Sequence, residues 1–340
     1  MNTTSILYIG NKLAKHGVNE TSIDTLGPML AKLGYQVYYA SSFKTKALRL
    51  LHMLWQTIRY SQKVSFVLMD VYSTQNFYYA LLVSQCCRLL KVPYLAKLHG
   101  GNLPHRLKRN PKLSQLIFAN SQYNIAPSPY LLEAFEKAGF TNLLLIPNTL
   151  QRNQYVLKHR SHLRPRLLWV RSLQAIYNPE MALEVVRLLQ KKYPDVQLTM
   201  VGPDKENYLP KLRQVVQHRQ LPIHFTGKLS KKEWHQLAQN SDIFINTTQF
   251  DNTPVSVIEA MLLGLPVVST DVGGMPFLIA HQQNGLLVPA NDAEAMSQAI
   301  QSLIEQPAWA QALAQTAYER TQVFDWEVVQ HQWLAILGEP

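Results

Sequence analysis

The sequence predicts an α/β protein built from two doubly wound, Rossmann-like domains, and three observations predict it. Apolar strand-like runs alternate with helix-like segments, the pattern of a parallel sheet covered on both faces. That alternation occurs twice, and an aperiodic polar segment at 151–165, QRNQYVLKHRSHLRP, separates the two series. At 340 residues the chain is long enough for two domains of ordinary size. The expected organisation is a first domain at 1–155, a second at 165–322 and a terminal helical segment at 323–340.

In the first series, strands are expected at 5–10, 35–40, 64–70, 92–98, 124–127 and 143–146. A loop at 11–20 contains His16-Gly17, and a helix at 21–33 is stopped by Gly34, a residue that readily ends a helix. Residues 44–60 form an amphipathic helix. Leu48, Leu51, Trp55 and Ile58 make one stripe, and Arg49, His52, Gln56 and Arg59 make another. The plainer account packs the apolar stripe on the sheet and solvates the charges. Basic heads over an apolar stem also suit the surface of an anionic membrane, with Lys44, Lys46, Arg49 and Arg59 meeting headgroups. His99 closes a strand and is followed by Gly100-Gly101, where α/β folds bind ligands. The nearby His105, Arg106, Lys108, Arg109 and Lys112 either hold an anionic acceptor or are simply solvated.

In the second series, strands are expected at 167–170, 196–201 and 223–225, with helices at 179–192, 205–219 and 231–239. Arg171 ends the first of these strands, and its planar fork suits a diphosphate. The stretch 247–275, TTQFDNTPVSVIEAMLLGLPVVSTDVGGM, organises this half. Its helix lies between two apolar strands, 243–246 and 265–270. Thr253 is a good helix cap, Pro254 is favoured at the first helical position, and Gly264 stops the helix. Such a helix start, at the carboxyl end of a buried strand, offers the amides of Val255 and Ser256 and a positive dipole end to a phosphate. Glu259 lies on the same face as Val255, roughly 6 Å further along. It is placed to accept from both hydroxyls of an attached ribose. Asp251 precedes the cap, and Gly273-Gly274 lets backbone approach a ligand.

These residues resemble the signature of the family-4 glycosyltransferases, which have the GT-B fold. In that signature an acidic residue and a Glu are separated by seven others, then come EAM, a Gly-Pro strand and a Gly-Gly loop. Asp251 to Glu259 has that spacing, and EAMLLGLPVVSTDVGG follows in order. The resemblance implies two domains facing each other across a cleft. It also implies transfer of a sugar from a nucleotide-diphosphate donor to a hydroxyl acceptor, with retention of configuration, and a hexosyltransferase type of activity. His99 would contact the donor sugar, and Gly17 is the position most like the family's glycine loop after the first strand. Ala126-Pro127-Ser128 and Ile146-Pro147-Asn148 are further family-like elements. The segment FDWEVVQHQWLAIL resembles the family's last helix, which crosses back to the first domain. Arg171, with the amides of Val255 and Ser256, would neutralise the leaving diphosphate without a metal or other cofactor. Glu259 would hold the ribose, and Asp251 with Gly273-Gly274 the sugar hydroxyls.

The chain departs from the family at one charge. A Lys is expected five residues after Arg171, where this sequence has Ile176. Either another cation such as Lys228 fills in, or Arg171 and the helix dipole carry the load. A catalytically weak or inactive nucleotide-sugar-binding protein is therefore the alternative reading. More mildly, Asp251 stands where the family usually has Glu.

Charge and composition narrow the partners. Up to Arg152 there are 17 Lys and Arg against 5 Asp and Glu, and beyond it 16 against 17. Only the first half is thus expected to meet an anionic partner, such as a lipid-linked acceptor in polysaccharide or glycolipid assembly or an anionic membrane surface. Basic patches interleaved with aromatics are not concentrated, so nucleic acid is not expected. Cys86 and Cys87, the only cysteines, build neither a disulfide framework nor a metal site and favour a reducing compartment. No stretch is long enough to span a membrane, and MNTTSILYIG lacks a signal peptide's basic region. A cytoplasmic protein is expected, with a peripheral place on the inner face of the membrane. An oxidoreductase would want Gly-x-Gly-x-x-Gly after the first strand, which Ile9-Gly10-Asn11-Lys12 does not supply. A nucleotide-sugar epimerase would need further acid and base groups.

Overall fold

The computed structural model describes residues 4–16 and 20–340, so the expected glycine-loop residue, Gly17, lies outside the described residues. Two compact units are present: 1–149 together with 327–340, and 150–326.

The first unit runs β1 (Ser5–Ile9), α1 (Ser22–Lys32), β2 (Gln36–Ala40), α2 (Lys46–Tyr60), β3 (Phe66–Tyr72), α3 (Asn76–Leu89) and β4 (Tyr94–His99). It continues with α4 (Leu103–Arg109), α5 (Pro111–Phe118), β5 (Tyr123–Ala126), α6 (Pro129–Lys137) and β6 (Leu143–Leu145). All strand pairs are parallel, in the order β2-β1-β3-β4-β5-β6. The strand order reverses beside β1, so the carboxyl ends of β1 and β3 mark a topological switch point. Ile6, Leu7, Val67, Leu68 and Leu95 are fully buried, as strands covered on both faces require.

The second unit holds β7 (Arg166–Val170), α7 (Pro179–Gln190), β8 (Gln197–Val201), α8 (Leu209–His218), β9 (Ile223–Gly227), α9 (Lys231–Gln239) and β10 (Ile243–Asn246). Next come α10 (Val255–Leu262), β11 (Val267–Thr270), α11 (Met275–Leu278), β12 (Leu286–Val288), α12 (Ala293–Glu305) and α13 (Pro307–Arg320). Its sheet is also parallel, ordered β12-β11-β10-β7-β8-β9. Here the order reverses between β7 and β10. The final helix, α14 (Trp326–Leu337), and the residues after it belong almost wholly to the first unit. Thr4 Oγ1 donates to the Glu339 carbonyl at 3.0 Å, and the Tyr35 hydroxyl donates to that of Gly338.

Two expectations are corrected. The segment 151–165 is irregular, but it is bound into the second unit rather than left as a free linker. The buried Arg160 guanidinium donates to the carbonyls of Lys158, Ala238, Ser241, Leu263 and Gly264. Five carbonyls around one fork replace the missing periodicity. The second correction concerns α2, whose apolar stripe faces outward. Leu48, Leu51, Trp55 and Ile58 are 51%, 62%, 50% and 57% exposed, whereas Arg49, Met53 and Thr57 are buried. Arg49 goes inward because its guanidinium is satisfied there: it donates to the carbonyls of Phe43 and Lys44 and to Asn11 Oδ1, at 2.8 to 3.0 Å.

Candidate active site

The central helix of the second unit, α10, is buried nearly all round. Val257, Ala260 and Met261 pack with Phe244 and Val267, while Ile258 and Leu262 pack with Leu150 on another side. Its carboxyl end is closed by two linked hydrogen bonds, Gly264 N–H to Met261 and Leu265 N–H to Ala260, both 3.0 Å. That closure needs the left-handed φ of +71° at Gly264, where an added Cβ would lie 2.5 Å from the Lys158 carbonyl oxygen.

At the other end the structure shifts the expected cap by one residue. Pro254 is the extended capping residue, with φ −69° and ψ 120°, and the helix starts at Val255. Thr253 makes no side-chain cap. The Pro254 carbonyl accepts from Val257 and Ile258, so the amides of Val255 and Ser256 precede the first intrahelical bonds. The Ser256 hydroxyl is buried with no partner. This end follows β10 at the switch point, and there the fold concentrates free donors.

Arg171 follows β7, the neighbouring strand, and reaches the loop after β10. Its Nη2 lies 2.7 Å from Asp251 Oδ2, with both side chains partly exposed. The guanidinium also sits over the Tyr177 ring at 5.2 Å, and its Nε is buried without a partner. Ile176, where the family has Lys, is exposed, and its carbonyl accepts from Gln249 N–H at 2.8 Å. Lys228 lies just beyond β9 and is exposed.

The loop carrying Asp251 is held in several ways. Trp169 Nε1 donates to Thr247 Oγ1 at 2.9 Å, which in turn donates to the Tyr177 carbonyl at 2.8 Å. Gly274 N–H donates to the Asp251 carbonyl at 3.0 Å. A Cβ at Gly273 would lie 2.1 Å from the Asp251 carbonyl oxygen, and one at Gly274 would lie 2.2 Å from that of Asn252. The two glycines are thus required by the protein's own backbone, a different reason from the ligand approach expected of them.

Glu259 is more enclosed than expected, with a side chain 5% exposed. Tyr155 donates to its Oε1 at 2.8 Å, and Lys231 Nζ lies 3.3 Å from the same oxygen. His235 Nε2, at 3.8 Å, is an electrostatic neighbour rather than a hydrogen-bond donor. Burial pushes the carboxyl up, but His235, Lys231 and Tyr155 outweigh it and hold the group below its ordinary range. Burial and the adjacent carboxylate push the Tyr155 phenol up, which keeps it a donor. All three contacts converge on Oε1, leaving Oε2 outside this set. Tyr155, Lys231 and His235 had no sequence signal, because they come from the supposed linker and from another helix.

The first unit has its own constellation at the carboxyl ends of β1, β3 and β4. His99 Nε2 lies 2.8 Å from Asp70 Oδ1, which also accepts from the Tyr8 hydroxyl at 3.1 Å. Asp70 Oδ2 is buried without a partner. The His99 ring stacks on Tyr72, its register partner across β3 and β4, with centroids 4.8 Å apart. Burial lowers the imidazole's pKa, helped by Lys97 and opposed by Asp70. Lys97 is itself pulled down to about 8 by burial. Asp70 and Tyr8 were invisible as site residues, since each reads as an interior strand position. Of the basic cluster after β4, Arg106 is structural: it donates to the Ser73 carbonyl at 2.8 Å and to Asn110 Oδ1 at 2.9 Å.

Two parallel six-stranded α/β units, with a last helix grouped with the first unit, define the GT-B fold of glycosyltransferases. Residues 157–320 match the family model described as glycosyl transferases group 1. Anabaena HepE, solved in complex with UDP-glucose, superposes with a TM-score of 0.78 at 18% identity, covering 99% of this chain and 100% of that one. The sulfoquinovosyl transferase SQD2 of Arabidopsis thaliana is 30% identical over 152 residues, 43% of this chain and 29% of that protein. A putative teichuronic acid biosynthesis glycosyltransferase of Bacillus subtilis, TuaC, is 27% identical over 246 residues, 68% of this chain and 60% of that protein. The chain therefore aligns with less than two thirds of the length of either curated relative.

Proposed function

We propose that the chain transfers a glycosyl group, a hexose by the family resemblance, from a nucleotide-diphosphate sugar to a hydroxyl acceptor with retention of configuration. The observation that carries this reading is α10. Its free amide end follows the switch-point strand, Glu259 stands four residues beyond Val255, and Arg171 lies beside Asp251 at the mouth of the adjoining strand. The match of residues 157–320 to the group 1 family model supports the donor side. A structural neighbour solved with UDP-glucose and a relative named for teichuronic acid biosynthesis support the class of substrate and a role in cell-surface polysaccharide or glycolipid assembly.

Cleavage of the bond between the anomeric carbon and the diphosphate oxygen leaves negative charge on the diphosphate. Arg171 and the amides of Val255 and Ser256 are the groups assigned to it, with no metal in the scheme. Glu259 accepts from the ribose hydroxyls through Oε2, while Tyr155 and Lys231 fix the carboxylate through Oε1. Asp251 takes the sugar hydroxyls. The acceptor, a sugar or lipid-linked hydroxyl, is assigned to the basic first unit.

One observation favours a second reading. Ile176 presents an exposed alkyl group where a lysine is expected, which fits a protein that binds nucleotide sugar and turns it over weakly. Screening nucleotide sugars for thermal stabilisation, then for acceptor-dependent release of nucleoside diphosphate, separates the two. Stabilisation with release supports transfer, stabilisation alone supports the binding protein, and the absence of both argues against a donor site on α10.

A further inference from the structure

We propose that α2 seats the first unit on an anionic lipid bilayer, its axis lying along the surface and its outward apolar stripe entering the headgroup boundary. This goes beyond the transfer reaction and does not depend on it. Leu48, Leu51, Trp55 and Ile58 recur at helical spacing and are all at least half exposed, so they form one outward-facing stripe. The opposite stripe, Arg49, Met53 and Thr57, is buried; the Thr57 hydroxyl donates to the Met53 carbonyl at 2.8 Å. The helix is therefore anchored by Met53 in the core together with Arg49 and Thr57, and it leaves a second apolar stripe facing outward, unlike an ordinary surface helix.

The neighbouring helix, α3, contacts α2 and has exposed apolar residues of its own. Tyr79 on α3 donates to the Lys46 carbonyl at 3.3 Å, and Tyr78 and Leu82 on that helix are exposed. Charge selects the occupant. Between Thr25 and Leu132 the sequence holds 13 Lys and Arg and a single acidic residue, Asp70, which is buried. Lys44, Lys46, Arg59 and Lys63 are exposed on and beside α2. Arg59 rests over the Trp55 ring at 5.0 Å, an aromatic and basic pair suited to a membrane interface. A second copy of the chain would bring like charges face to face, whereas anionic headgroups neutralise them. No helix among the described residues is long and apolar enough to cross a membrane, so the contact is with one surface.

The full chain is sedimented with phosphatidylglycerol-rich vesicles and with pure phosphatidylcholine vesicles. Binding is expected to the first and to be weakened about tenfold by Lys44→Glu with Arg59→Glu, or by added salt. Leu51→Glu with Ile58→Glu should abolish it, with the thermal midpoint unchanged because both sites are exposed. With bromine-labelled acyl chains, Trp fluorescence should be quenched in the parent and much less in Trp55→Phe. Three results would overturn the proposal: no sedimentation with the anionic vesicles, equal sedimentation of the Leu51→Glu, Ile58→Glu chain, or a self-association that those two substitutions remove in place of vesicle binding.

Discussion

Arg171 Nη2 and Asp251 Oδ2 lie 2.7 Å apart, joining the ends of two adjacent strands, β7 and β10, at the point where the strand order of the second unit reverses. The cation assigned to the diphosphate is thus held by the carboxylate assigned to the sugar. A charge-assisted bond of this kind fixes the guanidinium before a ligand arrives and leaves its buried Nε free to donate. Arg171→Ala should lower kcat/KM for the donor about a hundredfold, or on the order of 3 kcal/mol, because one cation serves where the family uses two. Asp251→Asn should preserve nucleoside diphosphate affinity and lower kcat. Calorimetry with the nucleoside diphosphate and steady-state kinetics read the two effects; a loss below tenfold for Arg171→Ala shows that other cations carry the charge.

Ile176→Lys restores the charge that the sequence lacks. It should raise kcat about tenfold if stabilisation of the leaving group limits the reaction. An unchanged kcat in stopped turnover assays would place the limiting step elsewhere.

Glu259, assigned to the ribose, should couple stability to binding. Glu259→Ala strips the buried Tyr155 hydroxyl of its acceptor and should cost about 1 to 3 kcal/mol of stability as well as raising the donor KM. Glu259→Gln keeps an acceptor for Tyr155 but gives up the charge that Lys231 faces, so near neutral pH it should cost less stability than Glu259→Ala and still raise KM. The folded carboxyl is held below its ordinary value of 4.5, so its contribution is fully present above that pH and is lost as pH falls through the folded pKa. Denaturant melts across the acid range should show this loss in the parent and less of it in Glu259→Gln.

Gly273→Ala should destabilise the second unit and raise the donor KM together. The residue has φ +56°, and the new methyl would collide with the Asp251 carbonyl. A melt and a donor titration on the same preparation test the coupling; normal affinity in a fully folded Gly273→Ala chain would detach the glycine loop from the site.

His99 is held neutral at pH 7, since burial lowers it below 6.5. Acidification through that window protonates the unfolded chain first, so stability falls as pH drops. Asp70→Asn removes the group that opposes the lowering. The acid limb of the kcat/KM profile should then move to lower pH, and an unmoved limb would mean that His99 does not govern it.

How much of this was legible depends on how local each signal is. Alternation of strands and helices, with Gly and Pro between them, announced two doubly wound units because buried parallel strands must be apolar runs of limited length. The stretch from Asp251 through Glu259 to Gly273-Gly274 announced the helix after Pro254, and helix periodicity puts Val255 and Glu259 on one face of it. The same periodicity failed on α2, where it identified two stripes but not which one faces inward. Burial of Arg49 rests on carbonyls of Phe43 and Lys44 and on Asn11, and no window on one helix contains all of these partners.

The sequence by itself determined the fold class, the helix that follows β10 and the spacing of Asp251 and Glu259 about its start, since each follows from neighbours within one short stretch. Only the tertiary structure decided that Arg171 meets Asp251, that Tyr155, Lys231 and His235 converge on Glu259, and that Asp70 holds His99. Those pairs lie up to 104 residues apart along the chain, and it is the packing of strands, helices and the irregular 151–165 segment that brings them within hydrogen-bonding or ion-pairing distance.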